Sequence, residues 1–365
     1  VRSLGSAGGW PAMTELAASV PGHRADDYLW EEVLAPLGEA RRHVLAVVAD
    51  LGGADDDLAG AALDEPVDLG AVLDGVPLIA SDDRGWRVPH PLWRTDPALA
   101  LADDDRRQVR RRAVAHHLAG GRFDDALTLA TDAGLDDVIP SILRAACLGP
   151  GRPPAERLTR WLADLPPTAA GTSGAALATG LHAALVSPGD AIEPLRAALA
   201  LFRADGDLDG ELATIALLGR VAWWLARIDI LGELFPRLLE LEAEGHPLAR
   251  ALASIGHAVV ADLDGDDATV IAVLEGIEPG ALDPGWAAVA DWLHASTLAG
   301  SGRAPEALAV LDTMPPSDDP AFAAAVKGSG VTGVCGSGII EVIAEMYLAG
   351  IIAQDGVIDG SLAAS

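Results

Sequence analysis

The chain has 365 residues, a formal net charge of −29 and half of its residues hydrophobic, but only 4% of them aromatic. Burial carried by alanine and leucine favours close-packed helices over a β-sandwich, and the length allows two or three domains. So strong a negative charge opposes phosphate backbones and anionic lipid, so direct nucleic-acid binding by this chain is not expected. No apolar run reaches the ~18 residues of a membrane span. The two cysteines, Cys147 and Cys335, lie far apart in unlike contexts, the pattern of a reduced, cytoplasmic protein.

In chain order, residues 1–22 hold one short helix, Pro11–Ser19, and read as the end of a helical linker. Residues 23–100 form the next expected domain. Asp26–Leu37 is amphipathic with an acidic start, Arg41–Leu51 continues as a helix, and Leu58–Ala62 is a short third. Val72–Ile79 and Trp86–Val88 then flank the turn Asp82–Gly85, which predicts a β-hairpin. Helices followed by a small hairpin make a winged-helix pattern.

Residues 101–318 read as helical pairs, beginning with Arg106–Leu118 and Asp124–Ala133 and ending with Trp286–Ala299 and Pro305–Thr313. One motif recurs: Leu118–Leu127, LAGGRFDDAL, returns as Leu298–Leu308, LAGSGRAPEAL. In both, an apolar helix breaks at glycine and restarts with acidic residues, where a helix N-terminus favours negative charge. Small Ala126 and Ala307 allow close helix approach. Weaker relatives are Asp262–Ile277 and Ser187–Phe202. Hairpins of this kind bury their apolar stripes by stacking, which predicts a tetratricopeptide-like α-helical solenoid. Linkers are expected at Gly149–Pro154, Pro166–Gly174 and Pro315–Pro320.

Past Pro320 the texture changes: residues 327–365 have no arginine, draw on Ile, Val and Gly, and contain Lys327, the only lysine. This segment reads as a short, unrelated α/β tail, with a junction of two unrelated segments near Ala324–Lys327. The expected fold class is therefore mainly α: a winged-helix domain, a tetratricopeptide-like solenoid and that tail.

Few residues suggest chemistry. Adjacent His116 and His117 point about 100° apart on a helix and lack carboxylate spacing for a metal. His90, between prolines, reads as structural. The acidic runs Asp55–Asp57 and Asp103–Asp105 lack a D-x-D-x-D-G calcium frame and read as helix caps, as does Asp264–Asp267. Trp223 and Trp224 are the ligand-groove candidates, because neighbouring rings on a helix face apart and one can line a groove while the other packs; core packing of both is the favoured alternative. Gly336, Ser337 and Gly338 precede a helix and are weak phosphate candidates. No catalytic residue, metal or cofactor is expected.

Gly8–Leu16, Asp26–Leu45, Leu78–Arg94 and Ala115–Ala133 follow one another in an order that resembles the middle of the large ATP-dependent LuxR-type transcription regulators, over about residues 4–315. That resemblance implies a winged helix and a tetratricopeptide-like sensor that binds a small inducer or a regulatory protein, in a parent regulator able to oligomerise. The chain lacks the family's phosphate loop, G-x-x-x-x-G-K-[ST], and its terminal DNA-reading helix-turn-helix, so it looks like the interior of such a regulator and not an enzyme. Val331–Ala363 is similar instead to the C-terminal part of the reductive activators of corrinoid enzymes, ATPases of the actin/hexokinase-like superfamily; their four-cysteine cluster motif is absent. The resemblance gives an alternative function as such an activator. A generic helical-repeat scaffold is a further alternative.

Overall fold

The computed structural model describes residues 34–95, 99–149 and 151–313. Within them the fold is mainly α, and the chain divides into two compact units: residues up to 182 with 193–214, and residues 183–192 with those from 215 onward.

The first unit opens with α1 (Glu39–Leu51), α2 (Asp56–Leu63) and the one-turn α3 (Leu69–Val72). Strands β1 (Ile79–Ser81) and β2 (Arg87–Pro89) pair antiparallel, with Ala80 opposite Val88, and α4 (Pro91–Thr95) follows. The hairpin turns over Asp82–Gly85 as the spacing predicts, closed by Asp82 N–H to the Trp86 carbonyl at 3.0 Å. The first strand is shorter than expected. Val72 ends a helix, not a strand, because the Asp68 carboxylate accepts from Ala71 N at 3.0 Å and Asp56 accepts from Leu69 N at 2.9 Å. These caps wind Leu69–Val72 locally and leave only Ile79–Ser81 extended. The expected helices of residues 1–33 lie outside the described residues.

Apolar side chains of α1–α4 form one core that includes Leu45, Val48, Leu58 and Trp93. Helix α5 (Asp103–Ala119) contributes Val109 and Ala113 to it. Its polar face is tied to the same helices, since Asp50 accepts two bonds from Arg110 at 2.7 and 2.9 Å and lies 3.3 Å from Arg106. Such charge-assisted forks fix geometry as well as adding energy. On its other side α5 forms a hairpin with α6 (Phe123–Asp132), where Ala126 is fully buried.

Helices α7 (Ile139–Leu148) and α8 (Ala155–Ala163), the one-turn α9 (Pro167–Ala170), and α10 (Ser173–Val186), α11 (Ile192–Asp205) and α12 (Leu208–Trp224) continue the chain. The expected linker Pro166–Gly174 holds α9 and the start of α10 instead, because Pro166 and Pro167 suit a helical N-terminus. Asp124 at the head of α6 accepts from Trp161 Nε1 and Arg160, each at 2.8 Å, so the helix-start carboxylate also anchors α8.

In the second unit a single 3-10 turn, Pro188–Ala191, precedes the final helices α13 (Ile228–Ala243), α14 (Pro247–Leu263), α15 (Asp267–Glu275), α16 (Pro284–Gly300) and α17 (Ala304–Thr313). Helices α12, α14 and α16 are each 17 residues long, starting at 208, 247 and 284. That spacing sits within the period of helical-repeat arrays.

The repeated motif has a backbone cause. After α5, α12, α14 and α16, one residue takes a left-handed conformation: Gly121, Ala226, Gly265 and Gly302, with φ of 68°, 53°, 74° and 81°. The following residue then donates its N–H back into the helix, as Arg122 does to His117, Arg227 to Ala222, Asp266 to Ala261 and Arg303 to Leu298. This is a glycine-type helix stop. The turn after α12 was not visible as a copy because alanine stands at the left-handed position. Conversely, Ser187–Phe202 is not a copy: it contains the 3-10 turn, and Gly189 has no left-handed backbone.

Candidate functional site

Trp223, at the end of α12, is half-buried and meets Trp292 of α16 edge-to-face, with ring centroids 6.4 Å apart and planes at 75°. Trp224 is also half-buried, so neither tryptophan of the pair belongs to the fully buried core. Trp292 is 54% exposed, a large apolar surface on a water-facing ring. The sequence reading did not single it out. Its signal was the helical period: Trp286, Val289, Ala290 and Leu293 make the buried stripe of α16, and Trp292 falls about 100° off it.

Neighbouring groups hold this aromatic pair in place. Trp286 is 6% exposed and its indole donates to the Ala216 carbonyl at 2.8 Å. The buried Arg220 guanidinium donates to Asp283 at 2.9 Å, and the same Asp283 oxygen caps α16 through Gly285 N and Trp286 N. The pair of rings therefore rests on two helices locked by an ion pair and an indole hydrogen bond. It offers stacking and apolar contact.

His117 is the other polar feature of note. It is 4% exposed, its Nδ1 accepts from Arg122 Nε at 2.9 Å, and its ring stacks on Trp86 with centroids 6.2 Å apart and planes at 26°. Burial pushes its pKa below the ordinary histidine value, with Arg122 and His116 acting the same way and Asp125 and Asp55 opposing. Its ring is consumed by packing rather than free for a metal. Among the described residues no group of three or more His, Cys, Asp or Glu side chains is placed to hold an ion.

Two of the three acidic runs cap helices, and the third does not: α5 has Ala102 at its N-cap with no side-chain cap bond, so Asp103–Asp105 sit in its first turn without capping it. Asp55 accepts from Leu58 N at 2.8 Å, Asp266 from Thr269 N at 3.1 Å, and Asp103 and Asp104 pair with Arg106 and Arg107 one turn on. Two open depressions of about 360 and 450 Å³ flank Asp56 and Asp57, the larger reaching Asp68 and Arg87. Cys147 is buried, and burial pushes its thiol up to about 12. Gly336, Ser337, Gly338 and Cys335 lie outside the described residues.

The family model described as the C-terminal domain of RACo, the ASKHA domain, matches residues 295–365. The match covers about a fifth of the chain and includes all of the segment read above as similar to corrinoid-enzyme activators. It begins at Ala295, within α16, well before the expected junction near Ala324–Lys327. No curated protein and no solved structure matches the chain. Among the described residues no helix is long and apolar enough to cross a membrane.

Proposed function

We propose that the chain is a non-enzymatic regulatory fragment whose helical repeats bind a small inducer or a regulatory protein, as in the sensor array of LuxR-type regulators. The observation that carries this reading is Trp292, an exposed aromatic ring braced edge-to-face by Trp223 on a helical-repeat scaffold. Exposed aromatic surface of this kind is what binding surfaces select, because it gives large contact area at little entropic cost. The order of the helix, hairpin and repeat motifs along residues 4–315 supports the regulator family in particular. Reading the source genome across both ends of the chain tests it. An in-frame phosphate-loop domain upstream is the expected result; an upstream frame of any other domain class overturns the regulator assignment.

A second reading is favoured by one observation, the family match over residues 295–365. On it the chain belongs with ATP-dependent activators of corrinoid enzymes. Calorimetric titration with ATP separates the two. The regulatory fragment gives no heat of binding at micromolar ATP, whereas an activator ATPase gives a micromolar constant.

A further inference from the structure

Besides the Ala54–Arg87 bridge and the shared apolar core, one neutral ring links the hairpin to the first repeat. Trp86, which follows the β1–β2 turn, stacks on His117 of α5 with an offset, and the Arg84 guanidinium carbon sits 4.2 Å from the centroid of the same indole. His117 in turn accepts through Nδ1 from Arg122 Nε at 2.9 Å, which places the ring proton on Nε2. Arg122 is permanently cationic, so the histidine can serve it only as an acceptor. The residues around the ring come from every packed element: His116 on α5, Arg122 in the turn, Asp125 on α6 with a carboxylate oxygen 4.0 Å from Nδ1, Asp55 before α2, and Arg84 beside Trp86.

We propose that the Trp86–His117–Arg122 stack is a proton-operated latch, which holds the β-hairpin on α5 while His117 is neutral and releases it when His117 takes up a proton. The proton comes from solvent and occupies the Nδ1 lone pair. Nδ1 then becomes a donor facing the Arg122 donor, and a second positive charge stands in a site only 4% exposed. Asp125 is too far for a full hydrogen bond and half-exposed, so it compensates only in part. The favourable route is to open the hairpin and let water solvate the imidazolium. Neutral histidine is favoured in the closed state. Closure is therefore complete above the open-state pKa of ~6.5 and weakens as pH falls below it.

Hydrogen–deuterium exchange of the whole chain, followed on peptides covering residues 79–89 and corrected for intrinsic exchange rates, tests this. Protection in the wild type should fall about fivefold between pH 6.5 and 5.5, the effect of one proton with an open-state pKa of ~6.5. In His117→Gln, which keeps an acceptor toward Arg122 but does not titrate, protection should be flat over the same range. An unchanged wild-type protection, or the same fall in His117→Gln, overturns the latch. Should the variant not fold, wild-type NMR decides: Ile79–Ser81 amide signals moving with the His117 ring titration support it, and a His117 titration that leaves them unmoved overturns it.

Discussion

Trp286 donates its indole N–H to the main-chain carbonyl of Ala216 at 2.8 Å, 70 residues away in the chain. The ring fits because residue 219 is glycine: a Cβ there would stand 3.2 Å from the Trp286 ring. This contact sets how α16 lies on α12 and so where Trp292 meets Trp223. Trp286→Phe keeps an aromatic ring but loses the hydrogen bond and part of the volume. It should cost about 1–3 kcal/mol in denaturant unfolding and weaken the near-ultraviolet circular dichroism of the Trp223–Trp292 pair. A variant with wild-type stability would show that the contact contributes nothing.

Ala226 holds a left-handed backbone at φ 53° where helix stops of the same kind, at Gly121, Gly134, Gly206, Gly245, Gly265 and Gly302, have glycine. An L-residue there carries strain of about 1 kcal/mol, which glycine relieves at some cost in unfolded-chain entropy. Ala226→Gly should raise stability by about 0.5 kcal/mol. A lower melting temperature for this variant would mean that the alanine methyl makes packing contacts that outweigh the strain.

The same residue shows what the sequence could and could not display. Most helices of residues 101–313 were legible because the apolar period and the acidic helix starts are local signals: Ala304–Thr313 was expected as Pro305–Thr313, and Pro247–Leu263 as Leu248–Asp262, whereas the one-turn α9 was not expected. The turn at Ala226 was legible as the gap between the expected helices Glu211–Ala226 and Ile230–Glu244, but its likeness to the repeated motif was hidden because alanine replaces the glycine that normally announces it. The Trp86–His117 stack was hidden for a different reason. It joins a hairpin to a helix about thirty residues on, and no spacing rule connects them. Trp292 was legible in principle, as a large aromatic off the buried stripe of its own helix, but its contact with Trp223 belongs to tertiary packing.

Close helix crossings depend on other glycines. A Cβ at Gly210 would sit 2.4 Å from the ring of Phe202, which is fully buried and cannot swing away. Gly210→Ala gains about 1 kcal/mol of helix propensity but forces an overpacked core that typically costs 1–3 kcal/mol, about as much or more. The expected outcome is net destabilisation, read from the urea midpoint. A stabilised variant would show that α11 and α12 separate without penalty.

Arg144 donates to both carboxylate oxygens of Asp207, one of them at 2.6 Å, and this bond holds the Asp207 carboxyl below the ordinary aspartate pKa. A lowered carboxylate stabilises the fold above its unfolded value of 3.8 and stops doing so as pH falls through the folded value. The stability difference between wild type and Arg144→Met should therefore be constant from pH 7 to 5 and shrink toward zero below pH ~3.8. A difference that does not shrink at all as pH falls below ~3.8 would assign the effect of Arg144 to packing of its stem instead.

Cys147 is 4% exposed, and burial raises its thiol to about 12, so the thiolate that alkylating reagents attack is scarce at neutral pH. Iodoacetamide at pH 8 should leave Cys147 unmodified in the native chain and label it fully in guanidinium, as read by peptide mass mapping. Rapid native labelling would show that α7 opens readily.

The final hairpin bears on where the repeat array ends. Ile271, Ala295, Leu298 and Ala307 are buried together, with Val310 packed against them, while Leu308 and Leu311 of α17 are exposed; the prolines at 315 and 316 are expected to end the array after α17. On this account, residues 327–365 are not needed for the array. Their removal should shift the melting temperature of the remainder by less than ~2 °C, a change of roughly half a kcal/mol for a chain of this size. The family match makes the opposite outcome specific, because it starts at Ala295 and so joins the end of α16 and all of α17 to the tail. If residues 295–365 are one folding unit, the truncated chain loses protection along Ala304–Thr313 and unfolds well before the full chain. Exchange protection of Ala304–Thr313 in the truncated chain distinguishes the two: retention places the end of the array at α17, and loss sinks that boundary and makes the tail part of the fold.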